Sequence, residues 1–470
     1  MGNSVSFPFG ETLEDSPEGQ LISATFLFVV FLFIYKFLVV KLWGCSSTNK
    51  ALIANNAEFK KTRFAKVREI ADKLDETTAK AIVSHDFQTL RQKLQDGEIT
   101  AVQALQAYWR TALDINAEIN CIIDVIIEAY DYAVDLDNQY PYGSEKPAFF
   151  GIPFSVKGNF YMRNYECTLG LAKFIGQPKT SECSMVTYLR SEGANPFVIT
   201  NVPQALLSFV CSNSIYGTTG NPYNNERTPG GSSGGEAALI AAGGAPFGIG
   251  SDLAGSLRIP ATIQMAELFY KNLMPDGGEY IKGLFANDVI DIYMKNFVNL
   301  LKIPTFVRFI ASYLVMPISP QLALLCRSYV STLSDLRKNQ EETDYYYETF
   351  SKEWRAKGLD ALVCPSFPVP SVPHEYPSHL GACAVSTGLF NMLDYTAGVV
   401  PTGKVTEEDD ARLLDENAWS VGYNIVLKKM REAATNSMGM PLGVQIVTPP
   451  YCDEQCLSLM REVEELWNTN

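Results

Sequence analysis

Serine and glycine crowd one stretch of this 470-residue chain, Thr228–Pro260 (TPGGSSGGEAALIAAGGAPFGIGSDLAGSLRIP). Two clusters, Gly230–Gly235 and Ala254-Gly255-Ser256, flank the helix-length run Glu236–Gly243. Such loops bend where side chains cannot go, or bring main-chain N–H groups close to an anion. The serines supply hydroxyls, weak nucleophiles until a neighbouring base takes their proton. A plain Gly/Ser linker would have the same composition. The surroundings argue against one: Ala237–Ala242 is apolar and compact, Phe247-Gly248-Ile249 reads as a short buried strand, and Asp252 and Arg258 could pair across the second cluster. Gly231–Gly235 also spells G-x-S-x-G, but a nucleophile elbow follows a strand and needs an acid and a histidine downstream. Here Asn221–Arg227 (NPYNNER) reads as a turn, and the downstream histidines, His374 and His379, lie in the proline-rich Phe367–Leu380.

The order GGSSGGE, then G-x-G-S-D-x-x-G-S-L-R-I-P, resembles the amidase signature family of serine hydrolases. The flanking text is similar to its membrane-bound branch, the fatty acid amide hydrolases. Gly151–Lys157 (GIPFSVK), Thr200–Asn213, Asp394–Pro401 and Asn436–Val447 share the likeness, which runs from about Leu94 onward. The resemblance implies an α/β fold, a mixed central β-sheet covered by helices, and a Ser-Ser-Lys site. In it Lys157 matches the base, Ser232 the bridging serine after a cis peptide bond, and Ser256 the nucleophile. The N–H groups of Leu253, Ala254, Gly255 and Ser256 match the oxyanion hole, with Ser233, Asp252 and Arg258 in support and Leu206 and Leu207 along an acyl channel. Read without the family, Lys157 would be a solvent-facing lysine after a strand; as a base it must be neutral, which requires burial or nearby dipoles.

The match has departures. After Pro260 the family continues through F-C-G-x-x-G-x-K-P-T and further core, whereas this chain passes through Gln264–Asn272 to Met274–Gly278, similar to a much later family segment. A shortened core is expected, with sheet edges exposed. Ala254 stands where relatives usually have glycine, and Gly158 where they have an acid.

The elements around these residues follow from pattern. Residues 1–20 form a short acidic N-terminus, and Leu21–Val40 reads as a membrane span within 21–43, Lys36 snorkelling and Trp43 anchoring. Lys36, Lys41, Lys50, Lys60, Lys61 and Arg63 place the body in the cytosol by the positive-inside bias, making a single-pass endomembrane protein. Residues 44–140 read as a helical region and 141–470 as the amidase domain. In the helical region Thr100 caps a helix with apolar Val102, Leu105, Trp109 and Leu113, Asp96-Gly97 ends the helix before it, and Cys121–Ile127 is the first buried strand. Residues 285–326, cut by Pro304 and Pro317, suit interfacial cap helices. Asn339–Ala356 reads as an exposed helix, Asp360–Cys364 as a buried strand, Leu442–Val447 as a late strand, Thr406–Asp410 as a solvated acidic loop, and Glu454–Trp467 as a closing helix with Cys456, Leu459, Val463 and Leu466 on its apolar side.

Net charge is −14 without a basic stripe, which excludes a nucleic-acid partner. Ten cysteines without a C-x-x-C pair and three histidines leave no metal signature, so neither metal nor other cofactor is expected. The expected function is hydrolysis of fatty acid amides, N-acylethanolamines and primary amides among them, at a membrane, with a homodimer as possible assembly. A lipid esterase using the same residues, and a catalytically impaired, membrane-anchored binding or regulatory partner, are the alternatives.

Overall fold

The computed structural model describes residues 47–252, 263–330, 332–415, 418–419, 421–422 and 424–468. The expected span at 21–43 and the second serine cluster, with Leu253, Ala254, Gly255, Ser256 and Arg258, lie outside the described residues.

Four helices come first: α1 (Ser47–Ala71), α2 (Glu76–Val83), α3 (Phe87–Asp96) and α4 (Ala101–Ile119). Their ends are set locally. The Asp75 and Asp86 side chains accept the N–H groups of Thr78 and Thr89, Gly97 closes α3 at φ 74°, and Thr100 and Gln103 form a reciprocal capping box. Leu105, Trp109 and Leu113 face the core as the spacing predicts, with Val102 only half-buried. Next come β1 (Ile122–Val125), α5 (Ala129–Gln139), β2 (Pro153–Lys157), α6 (Ser184–Ser191), β3 (Asn195–Thr200), the short pair β4 (Ser212–Asn213) and β5 (Gly217–Thr218), α7 (Gly234–Ala241) and β6 (Gly248–Ile249). They build a mixed sheet in the order β1-β3-β2-β6, β1 antiparallel to β3 and the rest parallel. Every residue of β1, β2 and β3 is buried, as parallel strands covered on both faces require. Trp109, fully buried, donates its indole N–H to the Phe197 carbonyl at 3.1 Å and ties α4 to β3. β1, from within 44–140, thus shares a sheet with strands from beyond 141.

Then come α8 (Ile263–Leu273), α9 (Glu279–Phe285), α10 (Lys295–Lys302), α11 (Thr305–Val315), α12 (Pro320–Arg327), α13 (Leu333–Ala356), β7 (Leu362–Pro365), α14 (Val385–Met392), β8 (Thr396–Lys404), α15 (Glu407–Leu414), α16 (Ile425–Ala434), β9 (Pro441–Thr448) and α17 (Asp453–Asn468). β7, β9 and β8 form a separate antiparallel sheet, β9 in the middle.

Several expectations change. The expected mixed sheet is present, and among the described residues the antiparallel β7-β9-β8 ladder is an addition not joined to it. The strand at Asp360–Cys364 is not buried, since β7 is an edge with Val363 57% exposed. The strand at Phe247–Ile249 shrinks to two half-buried residues. Thr406–Asp410 is no loop: Thr406 and Asp409 make a capping box that starts α15, a T-x-x-D signal that outweighs the local acidity. In α17, Cys456, Leu459, Met460 and Val463 pack on the sheet while Leu466 is 64% exposed. Lys60 and Arg63, counted above in the charge bias, are ion-paired to Asp124, the buried carboxylate of β1. No single described helix is long and apolar enough to cross a bilayer; α10 and α11 meet that length and composition only as a pair bent by 110°. None of the described cysteines is in a disulfide.

Candidate active site

β2 alternates two chemistries. Phe154 and Val156 point to one face, where Phe154 stacks on Phe247 at 5.4 Å; Ser155 and Lys157 point to the other. On β3, Thr200 pairs with Lys157, and on β6, Gly248 pairs with Ser155. Helix α7 packs on this face, its first turn following the GGSS loop. Gly235 permits the approach, because a Cβ there would lie 2.4 Å from the Asn201 nitrogen and 2.7 Å from the Cys121 carbonyl oxygen.

Lys157 is therefore fully buried, and its amine reaches Ser232 Oγ at 2.8 Å, the Ser251 carbonyl oxygen at 2.9 Å and Ser251 Oγ at 3.0 Å. The Gly231-Ser232 peptide is cis. Burial pulls the Lys157 pKa down to about 8, while Asp252 and Glu236 work in the opposite direction. A substantial share of this amine is thus neutral near physiological pH, the condition a base requires. Ser233 Oγ donates to the Ser251 carbonyl at 3.1 Å, so both serines of GGSS face the loop that leads to the second cluster. Asp252 is exposed, and its carboxylate accepts Asn391 Nδ2 at 2.8 Å; the expected partner Arg258 lies outside the described residues, as do Ser256 and the expected oxyanion donors.

The GGSS loop and Lys157 thus come together, but with company that sequence reasoning missed. Ser251 was legible only as part of G-x-G-S-D, and Asn159, two residues after the lysine, donates to its hydroxyl at 3.0 Å. Glu236, the last residue of GGSSGGE, is buried and accepts hydrogen bonds from Ser155 Oγ and Thr200 Oγ1. Gly158 is explained by space: a Cβ would stand 2.8 Å from the Thr200 carbonyl oxygen and 2.9 Å from Ile123 Cδ1, leaving no room for an acid.

Leu207 packs against a cluster containing Leu171, Met274, Ile281 and Phe285, whereas Leu206 is half-buried outside it. The loop they occupy is fastened to the segment leading into α10: Gln204 donates to the Val289 carbonyl at 2.7 Å and accepts Asp291 N–H at 2.8 Å.

The chain is similar to known proteins in sequence and in fold. The Amidase family model fits residues 103–267 and again 264–457, so the chain belongs to the Amidase family. Among its relatives, Fatty acid amide hydrolase 1 of Caenorhabditis elegans is 29% identical over 522 positions, covering 84% of this chain and 91% of that protein. Fatty-acid amide hydrolase 1 of Sus scrofa is 27% identical, covering 80% and 85%. A solved fatty acid amide hydrolase superposes with a TM-score of 0.59 at 18% identity over 88% of this chain and 90% of that one, a likeness of fold. The chain is an amide-hydrolysing enzyme by family. The two fits overlap at 264–267, and since 84% of 470 residues is about 395, about 127 of the 522 positions fall opposite gaps in this chain. The shortened core expected from the sequence accords with both.

Proposed function

We propose that this chain is a membrane-attached serine amidase that hydrolyses fatty acid amides, N-acylethanolamines and primary amides included, to fatty acid and amine. The observation that carries the reading is the fully buried Lys157 amine 2.8 Å from Ser232 Oγ. Neutral Lys157 takes the proton of Ser232 as Ser232 takes that of Ser256, whose Oγ attacks the amide carbon. The N–H groups of Leu253, Ala254, Gly255 and Ser256 hold the oxyanion, each worth about 3–4 kcal/mol in comparable hydrolases. The proton then returns through Ser232 to the leaving nitrogen, and water releases the fatty acid by the same relay. No histidine takes part.

The lipid substrate is supported by the names of the relatives and by α11. Its Phe306, Phe309, Ile310, Tyr313 and Leu314 recur at helical spacing, and all are exposed, Phe306 by 65% and Tyr313 by 64%. Such a face suits the head-group boundary of a bilayer. The span at 21–43 adds a second attachment and leaves the catalytic part on the cytosolic side; Leu207, then Leu206, guide the acyl chain. The missing core favours a second reading, a folded but inactive membrane-bound partner.

The test is a fluorophosphonate probe on the full chain in detergent, with a matched amide and ester assayed alongside. Labelling should fall on Ser256 and vanish with Lys157→Met, and amide turnover should fall by about 10²- to 10⁴-fold in that variant. The methionine variant leaves Ser232, Ser251 and Glu236 without the amine, so its melting temperature should fall, and a cooperative melt shows that the lost turnover is chemical. Retained turnover in Lys157→Met sinks the lysine base, folded protein that takes no label supports the inactive partner, and ester-only turnover supports the esterase.

A further inference from the structure

The mechanism above uses Lys157, Ser232 and Ser256 and leaves a buried carboxyl group idle one turn into α7. Glu236 lies directly against the sheet face that carries the lysine. One carboxylate oxygen takes the Ser155 hydroxyl, two residues before Lys157 on β2; the other takes the Thr200 hydroxyl, the residue paired with Lys157 on β3. β6 contributes by what it lacks: a Cβ on Gly248 would lie 1.8 Å from Glu236 Oε1 and 2.3 Å from Ser155 Oγ. Three strands and one helix thus meet at this carboxyl group. Among the described residues this buried acid is met by two hydroxyls and by no arginine, an uncommon arrangement in a structural core.

We propose that Glu236 is the positioning residue for Lys157, clamping β2 to β3 beneath the amine and setting, by its own charge, the pH at which that amine becomes a base. The inference rests on Lys157 being the base.

Burial pushes the Glu236 carboxyl up to about 7, against the two hydroxyl donors and Lys157. Among the described residues the ionisable neighbours are few. Lys157 comes from β2, with Asp252 acting on it, and Cys121 precedes β1; burial pushes the Cys121 and Cys211 thiols up to about 12 and about 11, so both stay neutral and neither pulls on the amine. The carboxyl group and the amine each favour the other's charged form, after burial and their nearer partners have acted. When Glu236 is ionised, its charge holds the proton on Lys157 more firmly; when Glu236 is protonated, the amine loses its proton more readily. The clamp survives either state. A protonated carboxyl can donate to Ser155, whose own hydroxyl has a second acceptor in the Phe247 carbonyl at 3.5 Å.

The experiment is the pH profile of kcat/KM for an amide substrate in the full chain, wild type against Glu236→Gln and Thr200→Val, with Lys157→Met alongside. Glu236→Gln removes the charge and keeps the shape, so the acidic limb should move toward lower pH by about one unit. Its plateau should stay within about threefold of wild type, since the neutral amide holds the clamp as the protonated acid does. Thr200→Val, which strips one donor and makes the carboxyl harder to ionise, should move the limb the same way by less. It also serves as the reading if Glu236→Gln does not fold. A merely structural glutamate would lower the plateau or the melting temperature and leave the limb where it is; that result overturns the inference while an inactive Lys157→Met keeps the lysine base intact. An active Lys157→Met overturns both.

Discussion

The two sheets of this protein are built to different standards. In the β1-β3-β2-β6 sheet every residue of three strands is buried, and the polar groups among them are bonded in a chain that runs from Thr200 and Ser155 through Glu236. In the β7-β9-β8 sheet, burial alternates or stops: β7 shows Val363 57% exposed, Leu442 on β9 is 39% exposed, and β8 is buried at Val400 and Thr402 alone. The first sheet leaves little without a partner, Asn195 Oδ1 on β3 being an exception, because an unmet hydrogen bond or charge in a dry interior costs about 1–3 kcal/mol or more. The second keeps water on part of its surface and can afford irregularity. The difference teaches where chemistry can be done: a lysine can be held half neutral only in the sheet that excludes water.

Four measurements would break or sharpen that contrast. Trp109→Ala should be the most damaging to folding, by about 3–5 kcal/mol in denaturant titration, because it empties the floor of the first sheet; a loss below about 1 kcal/mol would mean that sheet is less tightly built than described. The wild-type acidic limb of kcat/KM should lie near pH 8, the Lys157 pKa, with activity falling tenfold per unit below it as the ammonium form takes over. The sign follows from burial: the amine is the active form, and its pKa is depressed from 10.5, so activity is gained as pH rises through about 8. A limb near 10 would place the amine in water. On the second half, Phe309→Glu with Leu314→Glu should weaken binding of the full chain to phosphatidylcholine vesicles by about tenfold, and leave hydrolysis of a short, soluble amide unchanged; equal loss of both would make α11 part of the core instead. Smallest, Val363→Thr at the open edge should shift stability by no more than about 0.5 kcal/mol.

Much of the site was legible in order of residues, and the reason is local. The capping boxes at Thr100 and Thr406 and the stop at Gly97 are written within four residues, although the acidity of Thr406–Asp410 misled the reading there. The pairing of Lys157 with the GGSS loop came from a resemblance between motifs, and the hydrogen bond at 2.8 Å bears out their proximity. Glu236, Ser251 and Asn159 escaped because their partners lie 36 to 94 residues away and nothing in their own neighbourhoods marks them as buried. The separate antiparallel ladder and the exposure of Val363 escaped for the same reason: a strand's burial depends on what lies across it. Lys60 and Arg63 were counted in the charge bias, and only the fold revealed Asp124 as their partner.

The sequence by itself determined the helix ends, the alternation that turns Ser155 and Lys157 to one face of β2, and the family, since each depends on neighbours a few residues apart or on motif order. Only the tertiary structure decided that Lys157 is dry, that Glu236 sits beneath it, and that the antiparallel sheet stands apart. Those depend on which distant surfaces exclude water from one another, and a charge shows its pKa only once water has been removed from around it.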